Sequence, residues 1–298
     1  MSSEPTKSEA LQKGRGAERE LLAAVSFARP TAVLSVLALS AWALAVGAGI
    51  LGWCSAPLAV ALATVCAFAS FTPMHDAAHH AVAGKSRLNE WIGRLSALPL
   101  LVSFHGFRYL HLEHHKHTNE PDADPDHWSG RGPVWLLPLR WLTQDFHYYV
   151  CYIAVARQRP RAEAVETLGT VVGVYGLLGL LIAIGFGHQA LLFVFLPTRI
   201  AIMLLAFAFD YLPHVPHLVT GKQDRYRATA IYDHAFLTPL VVSQNYHLIH
   251  HLYPAVPFYR YGKVWTAQRE RLIAKGALVR RLWSRAQERP SSLSISIN

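Results

Sequence analysis

Two long stretches of the chain hold no Lys, Arg, Asp or Glu: Thr31–His75 and Thr167–Thr198. A helical residue advances about 1.5 Å and a bilayer core is about 30 Å thick, so one crossing takes about 20 mostly apolar residues. The first stretch is long enough for two crossings, with the turn at "CSAP" (Cys54–Pro57). The second, continued to Pro213, also allows two, with the turn at "GHQ" (Gly187–Gln189). The pattern predicts an all-α integral membrane protein with four spans at about 31–53, 56–74, 167–186 and 190–212.

The remaining apolar segments are shorter. "WIGRLSALPLLVSF" (91–104) is too short to span and is expected to re-enter or lie at the interface. "VWLLPLRWLTQDFHYYVCYIAV" (134–155) mixes apolar, aromatic and charged residues, as a pair of interfacial amphipathic helices would. The expected layout is a polar tail over 1–29 (disordered over 1–20), a membrane domain over 30–270 and a basic C-terminal tail over 271–298.

Charge then orients the spans. Of 28 Lys and Arg, five precede residue 30, ten lie between 75 and 165, and twelve follow 213, while the two hairpin turns have none. The positive-inside rule predicts cytoplasmic termini and a cytoplasmic middle segment. The net charge of +9 is mainly this topology signal, with contact to anionic lipid as a second reading. Nucleic-acid binding is disfavoured, because the basic residues are dispersed and border spans. Residues 1–29 are polar and the first apolar run exceeds a signal-peptide core, so no cleavable signal is expected. Cys54, Cys66 and Cys151 show no pairing pattern and suggest neither disulfides nor a thiolate metal site. Arg199, in the middle of the fourth span beside Pro197, is the misfit: a charge there is costly and no acidic residue lies within one helical turn.

Histidine adds the chemistry. Of 17 histidines, only His188 falls in an outer turn. "HDAAHH" (75–80) ends the second span, and on a continuing helix His75 and His79 share a face. "HLEHHKH" (111–117) puts His111, His114 and His115 on one face, and His247, His250 and His251 repeat that spacing. "DYLPHVPH" adds His214 and His217 after the fourth span. A sulfur-free set of imidazoles suits iron or copper that must meet oxygen. Eight or nine such ligands exceed the needs of one ion and suit two. A lone histidine near a span end is ordinarily a satisfied interface residue, and His105, His117, His127, His147, His217 and His234 are read that way, as partners of ligands, caps or surface groups. Three clusters together outweigh that reading.

"HDAAH", "HLEHH" and "NYHLIHH" (245–251) resemble the three histidine boxes of the membrane fatty-acid desaturase and hydroxylase superfamily, over roughly residues 30–270. "HHKHTNEPDADPDHW" (114–128), "FDYLPHVPH" (209–217) and "QNYHLIHHLYPAVPFYRY" (244–261) are most similar to its beta-carotene ring hydroxylases of cyanobacterial type. The resemblance implies two non-haem iron ions on the cytoplasmic face, O2 as co-substrate, and His75, His79, His111, His114, His115, His214, His247, His250 and His251 as ligands. His80 is an alternative to His79. Asp210 stands where some desaturases have Asn, and either binds iron or orients His214; Asn245 either supports a ligand or caps a helix. The expected activity is oxygen-dependent hydroxylation of a lipid-soluble substrate, a carotenoid ring first. Acyl-lipid desaturation by the same site is the alternative, and a metal transporter the remote one. The chain has no dinucleotide fingerprint and no cysteine cluster, so electrons are expected from a ferredoxin or reductase.

Overall fold

The computed structural model describes Gly16 and residues 18–281. Four helices among them are long and apolar enough to cross a membrane: α1 (Arg29–Ile50), α2 (Ala56–Ala78), a third helix (Arg161–Ala183) and a fourth (Gly187–Tyr211). Their bounds shift from the expected ones for local reasons. The first turn is Leu51–Ser55, with Gly52 at φ 69°, and Pro57 sits in the first turn of α2, where its missing N–H costs nothing. The second turn lies at Gly185 (φ 90°), not at "GHQ", which begins the fourth helix. α2 continues to Ala78, four residues past the expected span end, and so carries the first histidine box on its last turn.

Between the two helical hairpins the chain builds four more helices. α3 (Arg87–Ala97) is capped by Ser86, whose side chain accepts from the Asn89 N–H. α4 (Phe104–His117) is capped by Ser103 in the same way and carries the second box. The 134–155 segment is indeed two helices after one 3-10 turn, α5 (Leu137–Leu142) and α6 (Gln144–Val155). The third and fourth long helices are thus α7 and α8. Gly106 lets α7 approach the box helix α4, since a Cβ there would meet Thr167 at 2.7 Å. α8 is not uniform: Ala190–Phe195 and Ala206–Tyr211 are π-helical around an α-helical middle, Leu196–Leu205. Such bulges often mark functional sites, and the second delivers Asp210. The main core joins α2, α3, α4 and α8 through Ala67, Met74, Ile92, Phe104, Ile202 and Phe209.

The C-terminal part corrects the all-α expectation in one detail. Strand β1 (Ala230–Tyr232) pairs in parallel with β2 (Leu278–Arg280), Ile231 opposite Val279. α9 (His247–Leu252) and α10 (Tyr261–Ala274) pack beside them around Tyr261, Trp265 and Leu272. The folded chain therefore runs past residue 270, through Arg280 at least, where a tail was expected. Part of the expected N-terminal tail is also built in: Arg271 donates to Glu18 at 2.9 Å, Arg260 donates to the Glu20 carbonyl at 3.1 Å, and Leu21 and Leu22 pack on the same cluster. Residues 1–15, 17 and 282–298 of the two expected tails lie outside the described residues.

Arg199 finds the partner that its own helix lacks. Asp145 of α6 accepts Nη1 at 2.7 Å and Nη2 at 2.5 Å, and the guanidinium lies over the Phe146 and Phe195 rings. A bidentate pair of this kind is what makes a charge at this depth tolerable.

Candidate metal centre

The three boxes and His214 converge although 139 residues separate His75 from His214 in "HDAAH" and "DYLPH" numbering (75 to 214). His75, His79, His111 and His250 each place one ring nitrogen within 4.8 Å of the others. His114, His214, His247 and His251 do the same in a second group. His115 joins the first group, its Nε2 lying 2.7 Å from His250 Nε2 and 3.2 Å from His111 Nε2. α2, α4 and α9 supply the box residues, and the turn after the α8 bulge supplies His214.

The contacts are between like atoms. His75 and His250 meet Nε2 to Nε2 at 3.0 Å, His79 and His111 at 2.9 Å, His247 and His214 at 3.1 Å, and His114 and His251 at 3.3 Å. His250 Nε2 faces two such nitrogens while its Nδ1 is 3.0 Å from the Tyr261 hydroxyl. With Nδ1–H given to Tyr261, that Nε2 carries a lone pair and no proton. His214 Nδ1 is likewise 3.2 Å from Asn119 Oδ1, which only accepts. A first-row metal–imidazole bond of about 2.1 Å sets adjacent ligand nitrogens roughly 3 Å apart. Converging lone pairs at this spacing fit a cation at the centre of each group.

Burial keeps these rings neutral. It depresses His79 and His247 to about 3, with the neighbouring imidazole of His114 adding to the effect on both. His111, His115, His250 and His251 are held well below the usual range, first by burial and then by neighbouring imidazoles. His114 is the exception. Burial opposes its charge, yet the carboxylates of Asp124 and Asp126 push it up to about 9. Asp124 Oδ1 is 2.8 Å from His114 Nδ1, while the Asn119 and Asp126 N–H groups donate to the same carboxylate at 2.7 and 2.9 Å. His114, Asp124 and Asp126 also form a third converging group. The Tyr148 hydroxyl donates to Asp126, which burial raises to about 6.

The structure places the open alternatives of the sequence differently. His79 is in the first group, whereas His80 leaves the helix at φ 57° with its Nδ1 3.4 Å from Asn89 Nδ2. Asp210 is in neither four-histidine group; it lines an apolar cavity beside Tyr148 and Ile202, and Asn119 makes the bond to His214 that was one of the two roles expected of Asp210. Asn245 neither caps α9 nor hydrogen-bonds a histidine of the groups: its amide donates to the Tyr232 carbonyl at 3.1 Å and to the Thr238 hydroxyl at 3.4 Å. His105 pairs with Glu90 and His117 with Glu120, away from the groups. Sequence reasoning missed Asn119, Asp124, Asp126 and Tyr261. The signal for the first three lay in "NEPDADPDHW", read only as a turn-rich loop. A carboxylate-rich loop directly after a histidine box is positioned to orient those histidines.

Two cavities lie near the centre. The apolar one, lined by Phe71, Phe107, Leu205 and Asp210, abuts the first group, where Phe107 stacks on His111 at 5.2 Å and 11°. A polar one of about 270 Å³ opens over His115 and His251 and is rimmed by Lys116, Lys222 and Arg225.

The fatty acid desaturase family matches residues 51–283. The chain is 24% identical over 219 residues to an sn-1 acyl-lipid omega-3 desaturase (ferredoxin) of Synechocystis sp. (strain ATCC 27184 / PCC 6803 / Kazusa), covering 64% of this chain and 60% of that protein. It is 26% identical over 232 residues to the dihydrorhizobitoxine desaturase of Bradyrhizobium elkanii, covering 70% of this chain and 66% of the relative. With an sn-2 acyl-lipid omega-3 desaturase (ferredoxin), chloroplastic, of Helianthus annuus it shares 24% over 240 residues, 70% of this chain and 54% of the relative. On the match over 51–283, which contains all three histidine boxes, the chain belongs to the fatty acid desaturase family.

Proposed function

We propose that the protein is a membrane di-iron oxidase that uses O2 to oxidise an unactivated C–H bond of a lipid. The observation that carries this reading is the pair of four-histidine groups, the first of which packs against Phe71 and Phe107, two rings that line an apolar cavity. One ion would be held by His75, His79, His111, His115 and His250, and the other by His114, His214, His247 and His251, with Asp210 nearby. When bound, the irons would supply the oxygen-activating chemistry; the redox work belongs to the metal and not to the side chains.

The chain's own residues orient, shield and neutralise. Asp124, Asn119 and Tyr261 fix the tautomers of His114, His214 and His250 by engaging Nδ1 and turning Nε2 inward. Phe71 and Phe107 exclude water from the substrate side. Asp124 and Asp126 offset positive charge beside the second group. The basic rim over His115 and His251 suits an acidic electron donor such as a ferredoxin, in keeping with the donor that the names of two relatives print. Termini and histidines on the cytoplasmic side are the orientation that the basic residues favour.

Within this class the leading substrate is a carotenoid ring, oxidised by hydroxylation, on the similarity of residues 114–128, 209–217 and 244–261. Acyl-lipid desaturation is the second reading, favoured by the acyl-lipid desaturases among the relatives. Transport is disfavoured because transporters bind near the bilayer midplane, and these histidines cluster at and beyond helix ends. Expression in a host that makes beta-carotene and its ring-keto derivative distinguishes the readings: newly hydroxylated carotenoid rings support ring hydroxylation, new double bonds in membrane lipids support desaturation, and the absence of both contradicts the oxidase.

A further inference from the structure

Gln144 is the first residue of α6 and is 5% exposed. Neither its Nε2 nor its Oε1 meets a hydrogen-bonding partner among the described residues. Buried amides are normally paired, because losing water without replacement is costly. Gln244 shares the lack of a partner, but Gln144 is the one that lines the apolar cavity. That cavity, of about 60 Å³, is separated from the histidines by two of its lining rings: Phe71 is 5.5 Å from His75 and Phe107 stacks on His111.

Gln144 also belongs to a polar waist. The next residue, Asp145, lines the same cavity and commits both carboxylate oxygens to Arg199. Arg199 Nε is buried and unpartnered too. The Arg199 guanidinium lies 5.2 Å from the Phe195 ring, and Phe195 lines a second apolar space of about 360 Å³ with Leu177 and Leu181 of α7. Unpaired donors and an acceptor thus cluster around Asp145, at the wall of the first cavity.

We propose that Gln144 recognises an oxygen function on the lipid substrate, a hydroxyl or keto group borne on its otherwise apolar body. The amide offers one acceptor and two N–H donors. A hydroxyl engages both kinds of group and a ketone engages a donor, whereas a plain hydrocarbon leaves all of them unpaired. Sites built to bond a substrate oxygen reject the analogue lacking it by large factors. The inference rests on the lipid-oxidase reading and narrows its substrate to lipids that already carry oxygen.

The test is retention of defined lipids by the metal-free full chain in nanodiscs, quantified after extraction. One pair is beta-carotene and its ring-keto derivative; the other is an acyl lipid with and without a mid-chain hydroxyl, which tells a carotenoid source from an acyl source. Wild type is expected to retain the oxygenated member of one pair at least about tenfold better. Gln144→Met should abolish that preference while unfolding at the same temperature or higher, since it removes an unpaired polar group. A structural role would lower the unfolding temperature. Equal retention within both pairs by wild type, or an unchanged preference in Gln144→Met, overturns the proposal. Binding is read without turnover, so failure of the oxidase reading shows separately, as the absence of any oxidised lipid from the iron-loaded enzyme.

Discussion

His114 Nδ1 lies 2.8 Å from Asp124 Oδ1, and both side chains are 1% exposed. The pair links the second histidine box to the loop that follows it, and fixes which nitrogen of His114 faces the second group. Asp124→Asn removes the charge and keeps the volume. Losing such a partner typically costs about 10–100-fold in metal affinity. Iron titration of the stripped protein should show that loss at one of two sites, with the other unchanged.

The contrast between His79 and His80 is sharper. His79→Ala removes a nitrogen from the first group, whereas His80→Ala removes a ring that faces Asn89. Purified His79→Ala protein should lose iron and activity together. His80→Ala protein should keep both within about twofold, given the usual small effect of substitutions away from a site.

How much of this was legible in the sequence depends on distance along the chain. The spans and the boxes follow from local patterns, an absence of charge and a repeated H-x-x-H-H, and local patterns survive folding. The partners of Arg199 and His214 did not follow. Asp145 is 54 residues from Arg199 and Asn119 is 95 residues from His214, and only tertiary packing brings either pair together. The small sheet was hidden for the same reason: a three-residue strand has no periodicity to read, and its partner is 48 residues away (Ala230 to Leu278). His79 could not be separated from His80 because the decision rests on where α2 ends, and helix ends are weakly coded.

The Arg199–Asp145 pair carries its own prediction. Arg199→Met leaves the Asp145 carboxylate buried without its cation, a change that costs about 3–5 kcal/mol in buried pairs. Arg199→Met combined with Asp145→Leu should regain most of that loss, because the remaining groups are apolar. Thermal unfolding in detergent reads both variants.

Acid should destabilise the metal-free protein. His79 and His247 titrate near 3 when folded and near 6.5 when unfolded. Below about 6.5 the unfolded chain therefore binds protons that the folded chain refuses, and stability falls as pH drops toward about 3. His114 has the opposite sign: raised to about 9, it stabilises fully below about 6.5 and loses that contribution as pH rises through 9. Unfolding temperature of the stripped protein against pH should thus decline on the acid side, and that of the metal-loaded protein more steeply still, because acid also displaces the metal.

The most direct measurement is elemental analysis of iron per chain in the purified protein and in two double variants, one for each group. Wild type should hold two irons, with His75→Ala/His111→Ala and His214→Ala/His247→Ala each retaining about one. A single iron in wild type, zinc in place of iron, or an unchanged iron content in either variant would contradict the two-group centre.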